Sequence, residues 1–254
     1  MKKKKVIIPL FIYALIVLQG HSQVSIKDSS IFTTMFYAAY SYQFPGGDLS
    51  QRFGGNSSIG GGIMFKTKSN WLVGAEGNFL FGGTVHNSDS MLRNISTPDG
   101  YIIDANGYFA DVFFYERGYS IYGKFGKLFP VFSPNPNSGI TIMAGGGYLQ
   151  NKIRIHNPNN TAPQVYGDYK KGYDHLNSGI AINGSIGYTF MSNNRLLNFY
   201  GGFEFIQSWT QSRREYDFEL GQKETTSYSS QFYGIKLVWM IPLYKRTPKT
   251  YYLY

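Results

Sequence analysis

The chain has 254 residues, of which 18% are aromatic and only 15% charged, with 30 glycines and no cysteine. Charge this sparse falls well below the roughly 25% of an ordinary soluble domain. The lack of cysteine excludes a disulfide framework, a thiolate metal site and a cysteine nucleophile. Of the formal charge of +9, four units are Lys2 to Lys5, and the remaining basic residues are scattered among acids, which argues against a nucleic-acid partner.

The first stretch, "MKKKKVIIPLFIYALIVLQGHSQ", has a basic start, an apolar run from Val6 to Leu18, and small residues at Gly20 and Ser22. That is the layout of a secretory signal peptide, with cleavage expected after Ser22. The apolar run is shorter than the roughly 20 residues a spanning helix needs. Residues 1–22 are therefore expected to be an export signal. Residues 23–254 are expected to be one β-barrel domain with short N- and C-terminal tails.

The mature chain reads as eight strands: about Phe32 to Phe44, Ser57 to Lys68, Trp71 to Val85, Tyr119 to Val131, Gly139 to Ile155, Gly179 to Met191, Leu196 to Trp209 and Tyr228 to Tyr244. Three connections, "KSN", "SPNPNS" and "SNNR", are short and rich in Asn, Ser and Pro, as hairpin turns require. The other four, Pro45 to Asn56, His86 to Gly118, His156 to Ser178 and Thr210 to Ser227, are long. Short and long alternate strictly. An outer-membrane barrel has this asymmetry, with short periplasmic turns, long extracellular loops and an even strand count.

Period-two alternation gives each strand two unlike faces. In "LNFYGGFEFIQSW", Leu197, Phe199, Gly201, Phe203, Phe205 and Trp209 share one face, and Asn198, Tyr200, Gly202, Glu204 and Ser208 the other. Comparable apolar faces run through Ile59, Ile63 and Phe65, through Val73, Ala75 and Phe79, and through Tyr233, Ile235, Leu237 and Trp239. None carries a charge. The opposite faces hold Lys66, Glu76, Lys124, Glu204 and Lys236 among small glycines and serines. A lysine facing lipid at mid-bilayer costs roughly 2–4 kcal/mol, so the charged face belongs inside. The expectation is an all-β, antiparallel up-and-down transmembrane barrel of eight strands with long extracellular loops. Its lumen is polar and closed, and Glu76 and Glu204 balance Lys66, Lys124 and Lys236 there as structural charges.

Two segments break the alternation. In "GITIMAGGGYLQNKIRI" the apolar phase switches between Ala144 and Leu149, which implies either a glycine bulge or a strand leaving the bilayer. "YFADVFFYERGYSIYG" either extends the fourth strand or forms a short loop helix.

The strand count, the loop asymmetry and the alternating, aromatic-ended last strand "FYGIKLVWMIPLY" resemble the small eight-stranded outer-membrane barrels, the OmpA transmembrane domain and OmpX among them. The tail "KRTPKTYYLY" after that strand departs from the family pattern. The resemblance implies an outer-membrane location in a Gram-negative bacterium and names no activity.

Chemistry is thin. "HNSDS" places His86 and Ser88 two apart, on one face if extended, as the base and nucleophile of a lipid hydrolase would be. No third group is placed, and a polar loop start is the preferred reading. His156 and His175 bracket the third long loop and read as surface histidines. "GGDLSQRFGG" lacks the strand–loop–helix context of a phosphate site. Neither a catalytic residue, nor a cofactor, nor a metal site is expected. Eight strands enclose room only for side chains, so an open pore is not expected, although a narrow conduit for small hydrophobic ligands is an alternative. The long second loop carries Tyr108, Phe109, Phe113, Phe114 and Tyr115, too apolar for disorder. These are the candidate partner-binding residues, the alternative being that they pack on the barrel mouth as a cap with no partner. The partners expected are membrane lipid and other outer-membrane proteins or surface lipoproteins, the chain acting as a structural barrel or an accessory subunit of an assembly, secretion or transport complex.

Overall fold

The computed structural model describes residues 29–158, 160–192 and 196–243. The stretch expected to be an export signal, and the tail after the last strand, lie outside them. Eight strands form in the expected order: β1 (Thr33–Gly47), β2 (Asn56–Lys66), β3 (Trp71–Gly82), β4 (Phe113–Phe129), β5 (Gly139–His156), β6 (Asn177–Phe190), β7 (Phe199–Ser212) and β8 (Ser227–Leu243). Every neighbouring pair is antiparallel, and β8 closes on β1. Closure removes both sheet edges, so every strand has two hydrogen-bonding neighbours, as a backbone in hydrocarbon must.

The faces fall as the alternation predicts. Ile59, Val73, Phe79, Ile121, Phe125, Ile180, Ile182, Phe203, Ile235 and Leu237 all point outward and are exposed. On β6 this band runs from Ile180 to Phe190 and on β8 from Tyr233 to Leu243. About ten residues at a tilt near 40° cover roughly 25 Å, the height of the apolar band of a membrane barrel. At the short-turn rim Trp71 stacks on Phe125 at 5.0 Å, and the Lys127 ammonium lies 4.8 Å above the Trp71 ring. A cation stacked on an aromatic there marks the water boundary.

β5 resolves the phase switch. Its pairing with β4 and β6 runs without interruption through Gly145, Gly146 and Gly147, so no bulge exists. Odd-numbered residues face inward throughout. The character of the faces changes because the strand leaves the bilayer: beyond Tyr148 the outward residues are Gln150, Lys152 and Arg154, while Leu149, Ile153 and Ile155 are buried inside. β4 rises with it, pairing Glu116 with Ile153 and Phe113 with His156. The fourth strand therefore starts at Phe113, six residues before the expected Tyr119.

The lumen is closed, and it is layered rather than uniformly polar. Toward the short-turn rim Met35, Met64, Leu72, Leu128, Met191, Tyr200 and Met240 form an apolar layer. Toward the long-loop rim Leu80, Tyr122, Leu149, Ile153, Ile206 and Phe232 form another. Leu49, Phe53, Met91, Leu92, Ile102, Val165 and Tyr173 from the long loops pack onto that second layer. The long loops are a cap seated in the barrel mouth.

Candidate functional site

Between the two apolar layers sits a compact ionic cluster. Glu76 on β3 accepts from Lys124 Nζ on β4 at 2.9 Å and from Lys236 Nζ on β8 at 2.5 Å. Glu204 on β7 lies 2.8 Å from Lys236 Nζ and 3.6 Å from Lys124 Nζ. Two acids and two bases thus alternate across the lumen, and the cluster is neutral. Remaining lone pairs are met by Tyr37 Oη (3.1 Å) and Asn78 Nδ2 (2.9 Å) on Glu76, and by Ser41 Oγ (3.2 Å) on Glu204. All four ions are buried. Pairing and extra hydrogen bonds are what make buried ions tolerable. Nothing here holds a reactive geometry, so the cluster braces opposite walls of the barrel.

Lys66 departs from expectation. It is fully buried, yet it is not balanced by Glu76 or Glu204. Its ammonium donates to Asn137 Oδ1 at 2.8 Å, Ser30 Oγ at 3.0 Å and the Ile31 carbonyl at 3.2 Å. Lys66 closes β2 at the short-turn rim, too far along the barrel axis to reach the mid-lumen acids. There it fastens the chain before β1 beneath the barrel, where Ile31 N–H also donates to Asn137 Oδ1 at 3.0 Å. The sequence reading also missed Glu116, buried at the opposite end and accepting from Asn56 Nδ2 at 2.8 Å.

Between the ionic cluster and the short-turn rim lies a cavity of about 40 Å³ lined by Met35, Met64, Leu128, Met143 and Met240. Ligand pockets occupy about 300–1,000 Å³, so this space does not make a conduit.

The His86–Ser88 pair is not extended. Asn87 between them adopts φ 57°, and Ser88 opens a helical turn, Ser88–Met91. The left-handed step removes the common face on which the hydrolase geometry depended.

The aromatic candidates divide. Phe113, Phe114 and Tyr115 are the first residues of β4 rather than loop residues, and Phe114 packs against the cap. Tyr108 and Phe109 are 73% and 66% exposed. They sit on a small hairpin whose tip is an Asp104 turn, with Oδ1 accepting from Asn106 N–H at 2.8 Å and Tyr108 N–H at 2.9 Å. These bonds hold the Asp104 carboxyl below its ordinary pKa, the Tyr108 N–H most of all. Phe109 stacks on Tyr101 at 4.5 Å. The exposed rings are therefore held in place by their own backbone.

His156 ends β5 opposite Phe113. His175 departs from the surface position the sequence suggests, because the β7–β8 loop covers it and it is buried. Its Nδ1 lies 3.1 Å from Asp217 Oδ2 and its Nε2 3.2 Å from Glu219 Oε2. Burial alone would raise the Asp217 carboxyl. The facing His175 imidazole, with the backbone N–H groups of Leu220 and Glu219, outweighs that and leaves it below its ordinary value. Asp217 and Glu224 carry no motif spacing relative to His175, being in a different loop, and sequence reading had no signal for them.

No protein-family model and no curated protein matches the chain. Solved structures do, at low identity. Neisserial surface protein A is 10% identical over 81% of this chain and 96% of its own, with a TM-score of 0.41. Ail, the attachment invasion locus protein of Yersinia pestis, is 8% identical over 83% and 99%, with a TM-score of 0.43. The outer membrane protein OprG from Pseudomonas aeruginosa is 10% identical over 85% and 99%, with a TM-score of 0.37. These likenesses assign this chain no activity. Its fold rests on its own closed ring of eight strand pairings.

Proposed function

We propose that the chain is a non-enzymatic barrel of the outer membrane that presents a rigid, aromatic-tipped loop cap to a protein partner. The observation that carries this reading is the pair Tyr108 and Phe109, exposed above a lumen plugged by paired ions. Exposed aromatics cost solvation that a fold has no reason to retain on a hairpin tip, and Tyr and Phe are enriched where proteins meet. Ordering the tip in advance lowers the entropy cost of docking. The plugged lumen leaves the outer surface and the cap as the working parts, and the apolar outer band supports a membrane location.

Fractionation should place the protein in the outer membrane with a mature N-terminus at or near Gln23. Purification in mild detergent should bring down a stoichiometric partner. Changing Tyr108 and Phe109 together to Ser should release it while the barrel remains folded. Purification of this chain alone would leave a plain structural barrel. A hydrolase would behave differently: Ser88→Ala would abolish lipid turnover and leave any complex intact.

A further inference from the structure

His175, Asp217 and Glu224 each offer one ligand atom, all within 4.8 Å of one another, and all three residues are buried. They come from two loops of the cap, His175 before β6 and the two acids between β7 and β8. Two of these groups carry one buried atom that makes no hydrogen bond. His175, its side chain only 6% exposed, makes no hydrogen bond through Nδ1, although Asp217 Oδ2 is 3.1 Å away. Glu224, its side chain 4% exposed, has no partner for Oε2, while its Oε1 is engaged by Tyr228 Oη and faces Arg52 at 3.9 Å. A buried imidazole nitrogen and a buried carboxylate oxygen that make no hydrogen bond are costly. A cation between them removes both costs.

The surroundings have the form of a metal site. A ligating histidine usually gives its second ring N–H to a carboxylate, which fixes the tautomer and aims the free lone pair at the ion. Glu219 Oε2, 3.2 Å from His175 Nε2, stands where that carboxylate is needed. Asp217 is oriented by its own loop, with Oδ1 accepting from Glu219 N–H at 2.8 Å and Leu220 N–H at 3.1 Å, which leaves Oδ2 for the site. Two donors on one tetrahedral ion with bonds near 2 Å lie about 3.3 Å apart, and the His175–Asp217 separation is already close to that. Bringing in the Glu224 carboxylate takes a side-chain movement on the order of 1 Å by the same geometry.

We propose that His175, Asp217 and Glu224 bind one divalent transition-metal ion of the zinc type, with Glu219 as the positioning residue for the imidazole. One nitrogen and two carboxylates suit zinc, which accepts four ligands and leaves a position for water. They are too few oxygens for calcium, which takes six to eight. The ion ties the β5–β6 loop to the β7–β8 loop across the barrel mouth.

The test uses the full-length mature barrel in detergent, stripped with a chelator and titrated with zinc chloride, with bound metal measured after desalting. Folding of each variant is checked by its faster gel mobility before heating. One zinc per chain is expected, with affinity lowered at least 100-fold by His175→Ala and by the near-isosteric Glu224→Gln, and about 10-fold by Glu219→Gln. His86→Ala and His156→Ala should leave it unchanged. Zinc should also protect the β7–β8 loop from protease in the parent and not in Glu224→Gln. Several results would overturn the proposal: no stoichiometric zinc, equal binding by folded Glu224→Gln, loss of binding with His86 or His156, or displacement of zinc by equimolar calcium.

Discussion

At the scale of single residues the decisive fact is charge pairing in a closed, buried space. Glu76 touches both lumen lysines, whereas Glu204 lies close to Lys236 and at 3.6 Å from Lys124. Removing the Glu76 carboxylate leaves two buried ammonium groups sharing one acid. Breaking a buried pair in this way costs about 3–5 kcal/mol. Glu76→Ala should therefore shift urea unfolding in lipid vesicles to lower denaturant by about that free energy. Asp99→Ala, in an exposed part of the cap, should leave the midpoint within about 0.5 kcal/mol of the parent. Equal effects of the two changes would mean that the cluster braces nothing. The mid-lumen charges could be named from the sequence because they share the inward face. Lys66 shares that face too but bonds at the short-turn rim, because alternation says which way a side chain points and nothing of its height in the barrel.

At the scale of elements, the turn chemistry and the period-two pattern located all eight strands, with boundary differences of a few residues at most places and six at the start of β4. The glycine run in β5 was the hard case. Gly147 pairs with Tyr122, whose ring fills the lumen, and a Cβ at Gly147 would lie 1.9 Å from the Ile121 carbonyl oxygen. Glycine there permits close approach of β5 to β4, with no bulge involved. Gly147→Val should force the two strands apart and reduce the fraction of protein that folds into vesicles severalfold, read as loss of the fast-migrating band on unheated gels. Gly146→Val points outward into open space and should fold like the parent. Similar yields for both would show that the close approach is not required.

At the scale of the whole molecule, three plugs lie in series: the Lys66–Asn137 fastening at the short-turn rim, the four-ion cluster, and the loop cap over Leu149 and Phe232. The purified protein should run faster unheated than boiled, because a closed ring resists unfolding, and it should show no steady conductance in planar bilayers. Large, stable channels would mean that the plugs open. The cap is also where foresight ended. Its loops are crossed by contacts such as Ala105 N–H to the Thr161 carbonyl at 2.9 Å, Phe218 N–H to the Gly172 carbonyl at 2.9 Å, and the Arg214–Asp174 ion pair. None follows from spacing along the chain.

The sequence by itself determined the strand number, the closed and inside-out architecture, and the inward direction of Glu76, Lys124, Glu204 and Lys236. Those properties are local or follow from one global demand. A pleated strand alternates its faces whatever its neighbours, and lipid imposes the same apolar requirement on every outward residue. Only the tertiary structure decided that Lys236 meets an acid 160 residues away, that Lys66 seals one rim alone, and that His175 is buried against Asp217, Glu219 and Glu224. Such meetings depend on the stagger of strands around the ring and on how irregular loops pack into its mouth. Both are set by many weak contacts between distant parts of the chain, and neither leaves a period in the sequence.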